Sequence, residues 1–232
     1  IITFNNQQTE AINSINQFLK SDNLFYTLSG FAGTGKTTLV KSILDDYKQE
    51  VAVSAPTHKA KKVISKTTNK EAFTIQALLG LAPNTDLDNF NINRPQFDPK
   101  SEKKIERYNL IVLDEASMLN KDLFKLLIAE AEKSGTKILF MGDEAQLPPV
   151  NEAVSEVFNS PKLSGISKLT KVERQAGDNP LMAIYDKIRN GIESIKDNFV
   201  HNSAFNANGE GVTFTSNFKE FASDCATVFD SN

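Results

Sequence analysis

The sequence contains no tryptophan, one cysteine and two histidines in 232 residues, and no apolar run approaches the roughly 18 residues a membrane-spanning helix requires. A single thiol, Cys225, excludes an intrachain disulfide. Together with His58 and His201 it is too little to assemble a Cys/His zinc cluster, so a reducing, cytoplasmic setting is expected. The opening IITFNNQQTE lacks the charged, apolar and small-residue order of a signal peptide. A basic excess is also missing: 26 Lys and Arg stand against 29 Asp and Glu, a net charge of −3, which excludes a globally basic nucleic-acid footprint but leaves room for a local patch. With no indole available, the 16 phenylalanines must supply most aromatic packing or any base stacking. The 40% hydrophobic and 24% charged residues exclude disorder, and the length fits one large α/β domain or a core domain with a small insertion.

Along the chain, apolar runs alternate with amphipathic stretches. Ala11, Ile12, Ile15, Phe18 and Leu19 have helical spacing over 8–20. Buried strands are predicted at 24–30, 51–55, 110–114 and 137–142, with helices over 36–47, 58–66 and 121–133 between them. Continuous Val/Ile/Leu/Phe strands alternating with helices predict a parallel sheet covered on both faces. The stretch 81–104, with three prolines and many Asn and Asp, interrupts this rhythm and reads as an insertion or exposed hairpin. Beyond 190 an irregular stretch precedes a predicted short strand and a helix over 217–229.

Gly30-Phe31-Ala32-Gly33-Thr34-Gly35-Lys36-Thr37 fits G-x-x-x-x-G-K-[ST] between a strand and a helix. Glycines let backbone N–H groups turn toward phosphate oxygens, and the new helix adds the positive end of its dipole. Gly33, Thr34, Gly35, Lys36, Thr37 and Thr38 are therefore the expected triphosphate contacts, with Lys36 on the β/γ phosphates and the Thr37 hydroxyl on Mg²⁺. The run LIVLDE ends a strand in two carboxylates. Asp114 is expected to hold the metal and Glu115 to act as general base, although acidic residues here also suit a helix start. A further strand end, GDEAQLPPV, presents Gln146 as a sensor of the γ-phosphate, or as part of a polar turn stiffened by prolines.

Taken together, GFAGTGKTT at 30–38, APTHKAKK at 55–62, DEAS at 114–117, GDEAQLPPV at 142–150 and LTKVERQ at 169–175 resemble superfamily-one DNA helicases, specifically the Dda-like and RecD-like group that moves 5′ to 3′. The likeness spans roughly 4–190. It implies a RecA-like P-loop NTPase domain using ATP and Mg²⁺, with Gln8 on the adenine edge and Arg174 reaching the γ-phosphate. Pro56, Thr57, His58 and Lys59 are implied contacts to single-stranded DNA, as is Thr74 in a T-I-Q sequence where the family more often has T-I-H. The insertion falls where relatives carry a pin. Pro83, Phe90 and Phe97 are its candidate stackers, while Phe side chains packing the insertion onto its own domain is the alternative.

Such helicases work with two RecA-like domains, and no second set of strand–helix units is present in this chain. The expectation is therefore a first motor domain, 1–232, that binds Mg-ATP, turns it over slowly without arginines from the partner domain, and acts in replication, recombination or repair alongside other proteins of those processes. No membrane partner is expected. A nucleotide-switched DNA-binding or assembly module and a P-loop small-molecule kinase are the competing classes.

Overall fold

The computed structural model describes residues 2–97, 102–146, 148–172, 204–205 and 211–212. The chain divides into two compact units, Ile1–Glu173 and Arg174–Asn232. In the second, β7 (Ala204–Phe205) pairs antiparallel with β8 (Gly211–Val212). The helix expected over 217–229, Cys225 and His201 lie outside the described residues.

The first unit opens with α1 (Asn6–Lys20), started by a capping box: the Asn5 side chain accepts from the Gln8 N–H and the Gln8 side chain accepts from the Asn5 N–H. Then follow β1 (Phe25–Gly30), α2 (Lys36–Asp46), β2 (Val51–Ala55), α3 (His58–Thr68), β3 (Glu71–Thr74) and α4 (Ile75–Leu79). After the insertion come β4 (Leu110–Leu113), α5 (Lys121–Ser134), β5 (Lys137–Gly142) and β6 (Ile166–Leu169). The strands form one all-parallel sheet in the order β3-β2-β4-β5-β1-β6. Two of them, β3 and β6, are additions to the strands expected from the sequence. Both are four residues long and less buried than the central strands, so neither shows the continuous apolar run of a central strand.

Because side chains alternate across a strand, each central strand feeds two cores. Leu110, Val112, Leu139 and Met141 join α1, α2 and α3 on one face through Ile15, Leu39, Ile43 and Ile64. Ile111, Leu113, Ile138 and Phe140 join α4 and α5 on the other through Leu78, Leu123 and Leu127. The insertion contributes to this second core: Leu81 and Phe90 are buried in it, and Leu87 and Ile92 pack against it. Its base is closed by an antiparallel bridge between Leu81 and Phe97, and the residues between these two form a series of turns. Among the described residues, no helix is long and apolar enough to cross a membrane.

Candidate nucleotide site

Strand order brings the site together. Strand β5 lies between β1 and β4, so the chain segments leaving the C-terminal ends of all three converge at one rim. At the end of β1 the loop 30–35 turns through Gly33 at φ 81° and Gly35 at φ 84°, left-handed conformations that favour glycine. Gly35 caps α2, which starts at Lys36. The Lys36 amine curls back to donate to the carbonyls of Gly30 and Phe31. Burial pushes its pKa below the ordinary lysine value, and the charges of Asp143 and then Asp114 work against that shift. Thr37 is half-buried and Thr38 exposed in the first turn of α2; Thr34 is buried, its hydroxyl donating to the Phe31 carbonyl at 2.8 Å.

Asp114 accepts the N–H of Glu115 at 2.9 Å, and burial raises its carboxyl pKa against the pull of that N–H and of Lys36. Glu115 has φ 53°, a left-handed conformation costly for a residue with a Cβ. Its pKa is raised by burial and then by Asp114, and lowered by the Thr57 hydroxyl and by Lys59. The Thr57 hydroxyl stands 3.5 Å from Glu115 Oε2, the outer limit of a hydrogen bond. Gln146 is exposed, with its N–H on the Asp143 carbonyl at 3.1 Å. Arg174 lies outside the described residues.

Gln8 and Phe90 are both more buried than surface contacts would be. Gln8 is 5% exposed, and both ends of its amide are engaged: Nε2 donates to the Thr34 carbonyl at 3.0 Å and Oε1 accepts the Asn5 N–H at 3.0 Å. It braces the phosphate loop with one N–H and one lone pair of its amide. Phe90 is 7% exposed in the second core, which removes its ring from any stacking surface, whereas Phe97 is 44% exposed with the Lys103 amine 5.6 Å from its ring centroid. Pro83 is exposed. Thr57, His58 and Lys59 are exposed at the start of α3 beside half-buried Pro56. Half-buried Thr74 spends its hydroxyl capping α4 at the Ala77 N–H.

The sequence reading passed over Asp143. The register places Ser29 beside Gly142, so Asp143 is level with Gly30, whose carbonyl holds the Lys36 amine. Its position directly after an apolar strand was the available signal. Gln7 was also missed: it accepts the N–H groups of Thr170 and Lys171 and donates to the Thr170 hydroxyl, tying α1 to the exit of β6.

Residues 3–206 match the family described as AAA domain. The chain belongs to that family. Within it, the sequence is 32% identical over 192 residues to the ATP-dependent DNA helicase Dda of Enterobacteria phage T4, covering 79% of this chain and 42% of that protein. It is 35% identical over 158 residues to the ATP-dependent RecD2 DNA helicase of Deinococcus radiodurans, covering 67% of this chain and 20% of that one. The fold matches Pif1 from Bacteroides sp in complex with ADP-AlF4, with a TM-score of 0.55 and 23% identity over 82% of this chain and 47% of the other. The AAA domain of this chain is thus a RecA-like P-loop domain of the superfamily-one Dda, Pif1 and RecD kind. The chain spans less than half the length of these relatives.

Proposed function

We propose that this AAA domain is the ATP-binding motor half of a DNA helicase that moves along single-stranded DNA. The observation that carries the reading is the approach of Thr57, at the expected DNA loop, to Glu115, the expected general base: one hydroxyl joins the two surfaces that such a motor must couple. Lys36 leaves its backbone acceptors for the β/γ phosphates, and Gln146 and Arg174 respond to the γ-phosphate. Glu115 takes the proton of the attacking water, a role helped by a carboxyl whose pKa burial and Asp114 raise from its ordinary value. The donor set suits Mg²⁺, since a threonine hydroxyl and one or two carboxylates are what that ion takes from protein when it also binds phosphates and water. Thr37 and Asp114 would hold the ion, and when bound it offsets charge on the phosphate oxygens. Pro56, His58, Lys59 and Thr74 line the strand path, and a second RecA-like domain completes the site with arginine.

The test is equilibrium binding of a fluorescent ATP analogue with Mg²⁺, with and without oligo-dT. Lys36→Ala is expected to weaken nucleotide binding on the order of 100-fold, the scale for removing one member of a desolvated charge pair. Glu115→Gln is expected to bind nucleotide normally and lose hydrolysis; hydrolysis retained in that variant would remove Glu115 from the role of base. Nucleotide binding that is indifferent to oligo-dT would argue for the kinase class instead.

A further inference from the structure

The attachments of the insertion to the domain differ in quality; besides the Lys103–Glu130 ion pair at 2.6 Å, two groups of hydrogen bonds hold it. At its base it is held by α4, with the Leu81 N–H donating to the Gln76 carbonyl at 2.8 Å and the Lys104 N–H to the Leu78 carbonyl at 3.0 Å, and the Ala82 N–H to Gln96 carbonyl bond at 2.8 Å closes the insertion on itself. The side-chain bond there is long, Gln76 Nε2 to the Thr85 carbonyl at 3.4 Å, and Gln76 Oε1 and the Thr85 hydroxyl are both buried without a hydrogen-bond partner. The far loop is gripped differently. Asn120 is 7% exposed and directs one amide group at three carbonyls, those of Leu87 (3.2 Å), Asp88 (3.1 Å) and Phe90 (3.3 Å). Its Oδ1 accepts the Leu123 N–H at 2.8 Å and caps α5. Asp122 adds a second clasp by accepting the Ile92 N–H at 3.1 Å.

Asn120 sits five residues beyond Glu115. Between them runs one tight 3-10 turn, Ala116–Met118, closed by Met118 N–H to Glu115 O and Leu119 N–H to Ala116 O, both at 3.1 Å. Leu119 is fully buried, and its carbonyl accepts the Ser155 hydroxyl at 2.8 Å. The connection is short and packed, and it begins at a residue in a strained left-handed conformation.

We infer that Asn120 is a positioning residue through which the nucleotide state of Asp114 and Glu115 is passed to the 87–92 loop of the insertion. This rests on the proposed nucleotide site and adds to it a route: the insertion follows the carboxylate segment through the Asn120 amide, while α4 serves as its hinge. The amide and the cap are separable, because Asn120→Asp keeps an oxygen for the Leu123 N–H but presents carboxylate oxygen to three carbonyls.

Amide hydrogen exchange at 87–92, with and without Mg²⁺ and a non-hydrolysable ATP analogue, tests this in the chain as it stands, with nucleotide affinity measured in parallel. In the wild type, nucleotide is expected to change exchange at 87–92 by about fivefold or more, the lower end of ordinary coupling factors. In Asn120→Asp, nucleotide affinity should stay within about threefold of wild type while that response disappears. A purely structural Asn120 would raise exchange at 87–92 equally in both states and leave the nucleotide response intact, and that result would overturn the inference. So would a wild-type chain that binds nucleotide with no response at 87–92. Failure of the wild type to bind nucleotide would instead defeat the functional reading on which the inference stands.

Discussion

The two faces of the sheet are built by different means. On the face of α1, α2 and α3, long amphipathic helices cover the strands, and the core is completed by residues with plain helical or strand periodicity. On the other face, among the described residues, α5 alone is of that kind. The rest is the five-residue α4, short 3-10 turns and an irregular insertion whose Leu81 and Phe90 complete the core. The first face follows local sequence pattern; the second depends on single side chains reaching across roughly 30 residues, as Asn120 and Asp122 do. Regular secondary structure satisfies its own backbone, whereas an irregular segment leaves its carbonyls and N–H groups for distant side chains to satisfy.

Substitutions can separate the two regimes. The largest effect is expected from Phe140→Ala, which removes a fully buried ring packed 5.6 Å from that of Phe124. The loss should be about 3–5 kcal/mol in urea unfolding, cooperative across both faces. Phe90→Ala should cost less, about 2–3 kcal/mol, because the loop around it can partly collapse. Its signature would be early proteolysis within 81–97 while the opposite face stays protected. If Phe90→Ala unfolded the domain as one unit, the two faces would not be separable.

Gly35→Ala probes the first face at the phosphate loop. A Cβ there would lie 2.7 Å from Gln8 Nε2 in a backbone at φ 84°, so the expected loss is about 1–3 kcal/mol with weakened nucleotide binding, read by thermal melts and titration.

The carboxylate pair supplies a pH test. Asp114 and Glu115 have folded pKa values raised above their unfolded ones, so as pH falls the folded domain takes up protons before the unfolded chain does. Where the folded state binds more protons, stability falls as pH rises. The pair therefore destabilises the nucleotide-free domain above the raised values, and that penalty is relieved as pH drops through them. Asp114→Asn should stabilise the nucleotide-free domain at neutral pH by about 1 kcal/mol, flatten this slope and abolish Mg²⁺-dependent binding. The smallest effect is expected from Thr57→Val. Losing the hydroxyl should move the Glu115 titration, followed by carboxyl NMR, further up; a downward move would deny the contact across the two loops.

How much was legible follows the same division. The strands from β1 through β5 that carry apolar runs, the helices between them and the phosphate loop were readable because each is a local pattern. Strand β6, ISKL, hid because an edge strand with Lys168 facing solvent lacks a continuous apolar run; β3, EAFT, hid for the same reason. The burial of Phe90 was undecidable, since a phenylalanine among asparagines fits a stacking tip and a core plug equally well. The engagement of Gln8 with Thr34 and the level of Asp143 with Gly30 are products of strand order, which no short motif encodes.

Gly30, the first glycine of the loop, has one further consequence. A methyl there would meet the Thr34 hydroxyl at 2.8 Å and the Leu169 Cβ at 2.9 Å, so the residue that opens the phosphate cradle is also the contact surface for the last strand of the sheet. The cradle is consequently not a portable cassette: transplanted onto another strand–helix junction, its eight letters would arrive without the neighbouring strand against which their first one is fitted.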